Sequence, residues 1–259
     1  MVKLSWAAAL FFSLFFIAMQ PGCGGVKEKR KPPQQLYKEG MKSLEGHSSL
    51  FFFHVTDYEG AENAFEEIKN RYSFTSFAPE AELRLADIHF KKEEYSEAIV
   101  EYNEFIKLHP RHKEVHYATY QVGLSYYEQI TGLDRDMTAP ESALSTFETL
   151  LEKFPESGHA ADAKEKADEC KKILAENEFY IGKFYFKKKV YKAAAGRFRS
   201  ALERFPGFGP KEDAMLYLGK SYMADGATDE GRDILQRVIK AFPGSLQALE
   251  AEMELNKVL

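Results

Sequence analysis

Two histidines stand four apart in His112-Lys113-Glu114-Val115-His116, a spacing that can put both imidazoles on one helix face for a metal ion. The order is wrong for a zinc-protease helix, which needs its glutamate directly after the first histidine to act as base. The segment also straddles a turn and the start of the next helix, so His109 and His112, on either side of Pro110-Arg111, read as turn residues. Asp134 and Asp136 flank Arg135, and a loop ion pair or a cap explains that triplet better than an acid/base pair does. No phosphate-cradling glycine loop and no G-x-S-x-G elbow occurs. The sequence therefore predicts no catalysis, no metal and no cofactor.

What recurs instead is a structural pattern. Ala98-Tyr102-Phe105-Pro110 is followed by Ala143-Phe147-Leu150-Pro155, Ala194-Phe198-Ala201-Pro206 and Gly231-Leu235-Val238-Pro243. A weaker copy, Ala61-Phe65-Ile68, opens the series with Ser73 in the proline's place. The small residue lets two helices cross closely, the large ones fill the gap, and proline ends the helix because it cannot continue the hydrogen-bond ladder. Each such helix follows another with apolar residues at helical spacing. Pro79–Lys91 precedes Tyr95–Leu108, and Tyr117–Glu128 precedes Ala139–Phe154; Tyr191–Phe205 and Thr228–Phe242 close the fourth and fifth units. Gly182 leads Ala194 by the same interval by which Gly219 leads Gly231, but Gly123 to Ala143 is longer, placing an insertion around Gln129–Thr138. Thr138-Ala139-Pro140-Glu141 has the form of a capping box. His159–Lys188 lacks proline and predicts one long helix joining two halves. Leu246–Leu259 carries Leu249, Met253 and Leu255 on a stripe expected to shield the last hairpin, and Leu50–Phe53 is an apolar cluster in an enlarged first loop.

Gly, Tyr, Ala, Phe and Pro at these offsets resemble the tetratricopeptide repeat. The expected fold is an all-α tetratricopeptide-repeat (TPR) α-solenoid of about five helical hairpins with a C-terminal capping helix. An apolar fraction of 44% supplies a core, and a formal charge of −5 without a broad basic stripe argues against a nucleic-acid partner.

The N-terminus reads differently. Lys3 precedes an apolar run from Leu4 to Met19, too short to span a bilayer comfortably and fitting a secretory h-region. Gly22-Cys23 resembles the lipobox of bacterial lipoproteins, with Gln20 where such boxes usually carry leucine. That resemblance implies cleavage before Cys23 and a covalent lipid on it; ordinary signal cleavage with Cys23 as a bystander is the other reading. No aspartate follows Cys23, which by the same resemblance favours the outer membrane. The expected division is a signal peptide at 1–22, a lipidated tether at 23–33, an N-terminal TPR half at 34–156 and a C-terminal half at 157–259. Cys170 then has no disulfide partner and is expected to be a buried, inert thiol.

A closer likeness emerges from Phe105-Ile106-Lys107-Leu108-His109-Pro110-Arg111-His112, Tyr117-Ala118-Thr119-Tyr120, Gly123-Leu124-Ser125-Tyr126-Tyr127 and Asp134-Arg135-Asp136. With Arg71-Tyr72-Ser73-Phe74 before Ala78-Pro79-Glu80-Ala81, and Phe154-Pro155-Glu156-Ser157 before Ala160-Ala161-Asp162-Ala163, this series resembles the BamD (ComL/YfiO) family of outer-membrane β-barrel assembly lipoproteins. The resemblance implies a lipid-anchored scaffold on the periplasmic face of the outer membrane of a Gram-negative bacterium. Its C-terminal repeats would bind a BamA-type barrel subunit, with Arg197 at a matching basic position. Its N-terminal repeats would receive the targeting segment of unfolded outer-membrane proteins, and other Bam lipoproteins are further partners. Candidate pocket residues are His89, Tyr120 and Tyr127, for which inter-helix packing stands as an equal alternative. A different periplasmic TPR adaptor, division- or Tol-associated, is the second functional reading. A peptidoglycan-acting enzyme is the third, and it would need a catalytic module for which no room is left.

Overall fold

The structure, a computed structural model, describes residues 30–49, 53–132 and 136–257. Among them the chain forms eleven helices in succession. Five hairpins follow: α1 (Pro33–Glu45) with α2 (Tyr58–Arg71), α3 (Phe77–Lys91) with α4 (Tyr95–Leu108), and α5 (Val115–Tyr127) with α6 (Thr138–Lys153). The second half of α7 (Ala160–Lys187) pairs with α8 (Tyr191–Arg204), α9 (Lys211–Asp225) pairs with α10 (Thr228–Ala241), and α11 (Leu246–Asn256) closes the array. Each helix packs chiefly on its neighbours in sequence. The first helices of successive hairpins also touch, α1 on α3, α5 on α7 and α7 on α9, and Tyr117 of α5 reaches Asp87 of α3, so the first helices together line the inner face. This is a TPR α-solenoid.

The repeat works through one close approach. In every second helix the small residue is buried, and so is the large side chain four places on: Phe65, Tyr102, Phe147, Phe198 and Leu235. Four of these press on a glycine of the preceding helix. A Cβ built on Gly40, Gly123 or Gly182 would stand 2.7, 2.5 or 2.6 Å from the facing phenyl ring, and one on Gly219 would stand 2.8 Å from Leu235. In the second hairpin Ala86 takes that place and is fully buried in the same cluster as Tyr102.

The turns inside the hairpins are equally regular. Glu93 (φ 62°), Lys189 (φ 60°) and Gly226 (φ 88°) occupy the same left-handed position, two residues before the second helix. The next residue's N–H returns to the first helix in all three: Glu94 to His89 O, Val190 to Tyr185 O and Ala227 to Tyr222 O. Such a bond satisfies carbonyls that the helix end leaves open.

Several expectations change. The enlarged first loop contains a short antiparallel ribbon, β1 (His47–Ser49) with β2 (Phe53–Val55), the only strands among the described residues; residues 50–52 of the apolar cluster lie outside them. Thr138 does not form a capping box. Its N–H and hydroxyl both donate to Asp136 Oδ1, at 3.1 and 2.8 Å, so the cap interaction comes from the loop before α6. On α11 the buried face is Ala248 and Ala251 with Leu255, whereas Leu249 and Met253 are more than half exposed. The helix lies close to its neighbours and small residues permit that approach, so the larger side chains turn outward. The long helix expected over 159–188 is present as the 28-residue α7.

A methyl group at Gly123 gains about 1 kcal/mol of helix propensity but must displace the buried Phe147 ring, at a cost of about 1–3 kcal/mol. Gly123→Ala is therefore expected to melt below the wild type. Gly196→Ala in α8, whose Cβ meets nothing within 4 Å, should melt above it. Two melting temperatures decide this; a rise for both would refute the close approach as the limiting contact.

Candidate functional site

The inner face carries two grooves. The first lies across the first three hairpins and has a volume of about 290 Å³. Leu44, Ile88 and Phe90 give it apolar wall, and Arg84, Asp87, Tyr117 and Gln121 give it polar groups. The centre of that polar set is Asp87, which accepts hydrogen bonds from the Tyr102 hydroxyl at 2.7 Å and the Tyr117 hydroxyl at 2.9 Å and pairs with Arg84. Gln121 Nε2 donates to the Tyr117 oxygen at 2.7 Å. Burial pushes the Asp87 carboxyl above its usual range, against the opposing pull of Arg84 and the two phenols. Burial and the neighbouring carboxylate push Tyr117 up to about 12 and Tyr102 higher still, so both phenols stay protonated donors. The cluster ties α3, α4 and α5 together. It leaves one buried donor, Arg84 Nε, and one buried acceptor, Gln121 Oε1, without a hydrogen-bond partner. Apolar wall beside polar side chains suits an extended peptide.

The second groove, about 720 Å³, runs along α7 and is bounded by Gly209-Pro210. Phe179, Tyr180 and Phe184 line it, the last two more than half exposed, with Lys172, Lys183 and Lys187 among them. Lys183 is held over the Tyr217 ring, 4.0 Å from its centroid. Exposed aromatics among lysines favour an apolar partner that carries carboxylates.

The residues singled out from the sequence fall in several places. His89 Nδ1 meets Glu94 Oε2 at 2.8 Å in the α3–α4 turn, while the groove is lined by Arg84, Asp87 and Lys91 of the same helix. Tyr120 donates to Asp162 and stacks on His159, ring centroids 4.5 Å apart. Tyr127 donates to Glu169 and lies under Lys166. Both tyrosines thus stitch α5 to α7, and the structure does not gather them with His89. Arg197 of α8 pairs with the buried Glu178 of α7 at 3.2 Å, and Arg204 reaches the same carboxylate at 3.3 Å. His112 packs on Phe105, whereas His116 hydrogen-bonds Ser157 at 3.2 Å, so the two histidines face different neighbours. Cys23 lies outside the described residues. Sequence reading passed over Arg84 and Asp87, although two opposite charges three apart among Leu83, Leu85, Ala86 and Ile88 were a usable signal.

Fold and inner face define the class: a TPR α-solenoid with grooves along its first helices. The chain matches the YfiO family, described as an outer membrane lipoprotein, over residues 29–237, and it belongs to that family. It is 27% identical over 249 residues to the outer membrane protein assembly factor BamD of Caulobacter vibrioides, covering 96% of this chain and 81% of that one. It is 31% identical over 228 residues to BamD of Rickettsia prowazekii, covering 86% and 87%. These relatives are assembly factors rather than enzymes. Among solved structures, the TPR2AB-domain:pHSP90-complex of yeast Sti1 aligns with a TM-score of 0.44 at 14% identity over 87% of this chain and 84% of that chain.

Cys170 is fully buried, and burial pushes its thiol up to about 12. The folded state holds this proton more tightly than the unfolded chain does. Stability should therefore fall as pH rises above the ordinary thiol value of 9.0, with Cys170→Ala removing that part of the decline. Chemical denaturation at a series of alkaline pH values checks it; identical slopes for wild type and variant would refute it.

Proposed function

We propose that this protein is a non-enzymatic lipoprotein scaffold of the outer-membrane β-barrel assembly complex. A lipid on Cys23 holds it to the periplasmic face of the outer membrane. The C-terminal repeats bind the BamA-type barrel subunit, and the inner face of the first three hairpins receives an extended targeting segment of unfolded barrel proteins. Other lipoproteins of the complex complete the assembly.

The observation that carries this reading is the inner-face groove, where Leu44, Ile88 and Phe90 stand beside the polar side chains of Arg84, Asp87, Tyr117 and Gln121. Extended chains present one donor and one acceptor per residue, and a groove lined by polar and apolar side chains holds them without requiring one sequence. At the other end, exposed Tyr180 and Phe184 with nearby lysines supply a contact surface, and Arg197, paired with Glu178, keeps 44% of its side chain exposed.

Affinity capture from detergent-solubilised envelopes, read by mass spectrometry, tests the assignment. A large outer-membrane barrel subunit with periplasmic repeats is expected in stoichiometric amount. Recovery of only division, Tol or peptidoglycan proteins would replace the reading with the general adaptor. Phe184→Asp changes an exposed side chain, so stability should move by less than about 0.5 kcal/mol, yet recovery of the barrel subunit should drop. Undiminished recovery would remove the α7 groove from the interface. The anchor has its own check: the denatured mature chain should show one titratable thiol, Cys170, and two would mean that Cys23 is unmodified.

A further inference from the structure

Phe74 sits in the turn between the first two hairpins and is as exposed as a free side chain, at 104%; no other described large apolar residue exceeds 80%. The turn holds it there. Thr75 N–H donates to Tyr72 O at 2.9 Å, its hydroxyl reaches the same oxygen at 2.7 Å, and Ala78 N–H returns to Thr75 O. Nothing in the packing of the solenoid requires an aromatic ring at this point.

The same turn receives the start of the folded chain. The Tyr72 hydroxyl donates to the Lys31 carbonyl at 2.9 Å, and Lys31 Nζ pairs with Glu39. The segment arriving from the N-terminus is thereby fixed to a residue two places before Phe74. From Cys23 to Lys31 a fully extended chain reaches at most about 28 Å. That stretch reads Lys27, Lys29, Arg30 and Lys31 against one acidic residue, Glu28.

We propose that the Tyr72–Ser76 turn is a second membrane contact, with the Phe74 ring inserted at the headgroup–acyl boundary of a bilayer containing anionic lipid. The inference rests on the lipid anchor at Cys23. An acyl chain within a short tether keeps this turn at the surface, and the basic tether favours anionic headgroups. Two contacts then set the solenoid's angle to the membrane, which a single point of attachment could not do. An aromatic ring suits this depth because its apolar body tolerates the interfacial region.

The chain has one tryptophan, Trp6, within the segment removed on maturation, so Phe74→Trp gives the mature lipoprotein a single reporter. The full chain is expressed with its signal, intact mass establishes cleavage before Cys23 and acylation, and the protein is reconstituted on phosphatidylethanolamine–phosphatidylglycerol vesicles. Leu246→Trp, exposed at the far end of the solenoid, serves as the comparison. Both variants should float with the vesicles. The emission of Phe74→Trp should shift to the blue and lose most of its intensity with lipids brominated near the headgroup end of the acyl chains, while that of Leu246→Trp should be unaffected. Flotation with the Phe74→Trp reporter unquenched, or with both reporters quenched alike, overturns the turn's insertion and leaves the anchor standing. An unacylated protein that fails to float overturns the anchor and this contact with it.

Discussion

Everything in this solenoid depends on how closely two helices can cross within one hairpin. The aromatic or leucine side chain of each second helix needs a floor, and a first-helix residue with no side chain, or a methyl at most, provides it. At Gly40, Gly123 and Gly182 the facing ring fills the space a Cβ would take. The ring is then buried on one side by its own hairpin and free on the other to meet the next. Dispersion contacts at such spacing are individually small but numerous, and a loss of closeness forfeits many at once. Stacking follows from this, because a hairpin with one packed side still has apolar surface to bury.

Polar groups then decide which first helices stay aligned. Asp87 gathers hydroxyls from α4 and α5, Tyr120 and Tyr127 bridge α5 to acidic residues of α7, and Glu178 holds two arginines of α8. These links lie along or beside the inner face, where a groove must keep its width if it is to hold a peptide. An apolar link there would be more adhesive but less particular about register. The charged and phenolic partners fix distance through hydrogen-bond geometry, and buried polar groups are costly to leave unpaired. The two grooves are therefore surfaces the stack maintains rather than gaps it fails to fill.

Most of the scaffold is legible in the chain, and less of the surface. The small-large-small pattern locates five second helices, four of the prolines mark where they end, and the unbroken 159–188 stretch is α7. Helix existence is legible because it depends on spacing and on proline, which act within a few residues. Side-chain direction is not. His89 is a pocket candidate by sequence, but it meets Glu94 across a tight turn. Leu249 and Met253 form a helical stripe with Leu255, yet α11 buries Ala248 and Ala251 because its neighbours come too near for the larger pair. Arg84 and Asp87 read as surface charges until α4 and α5 close over them.

Composition and periodicity alone thus determined the class of fold, the number of hairpins, the position of the insertion and the absence of any catalytic motif. The residue series from Phe105 to Asp136, with the turn motifs at 71–81 and 154–163, carried the resemblance that the family match over 29–237 bears out. The tertiary structure alone decided which of two plausible faces each helix buries and which charged side chains become partners. It also decided where the folded chain begins relative to an exposed ring. The reason is physical. Helix formation is a local balance of propensity and steric limits, whereas burial and pairing depend on crossing distances set by residues many positions away.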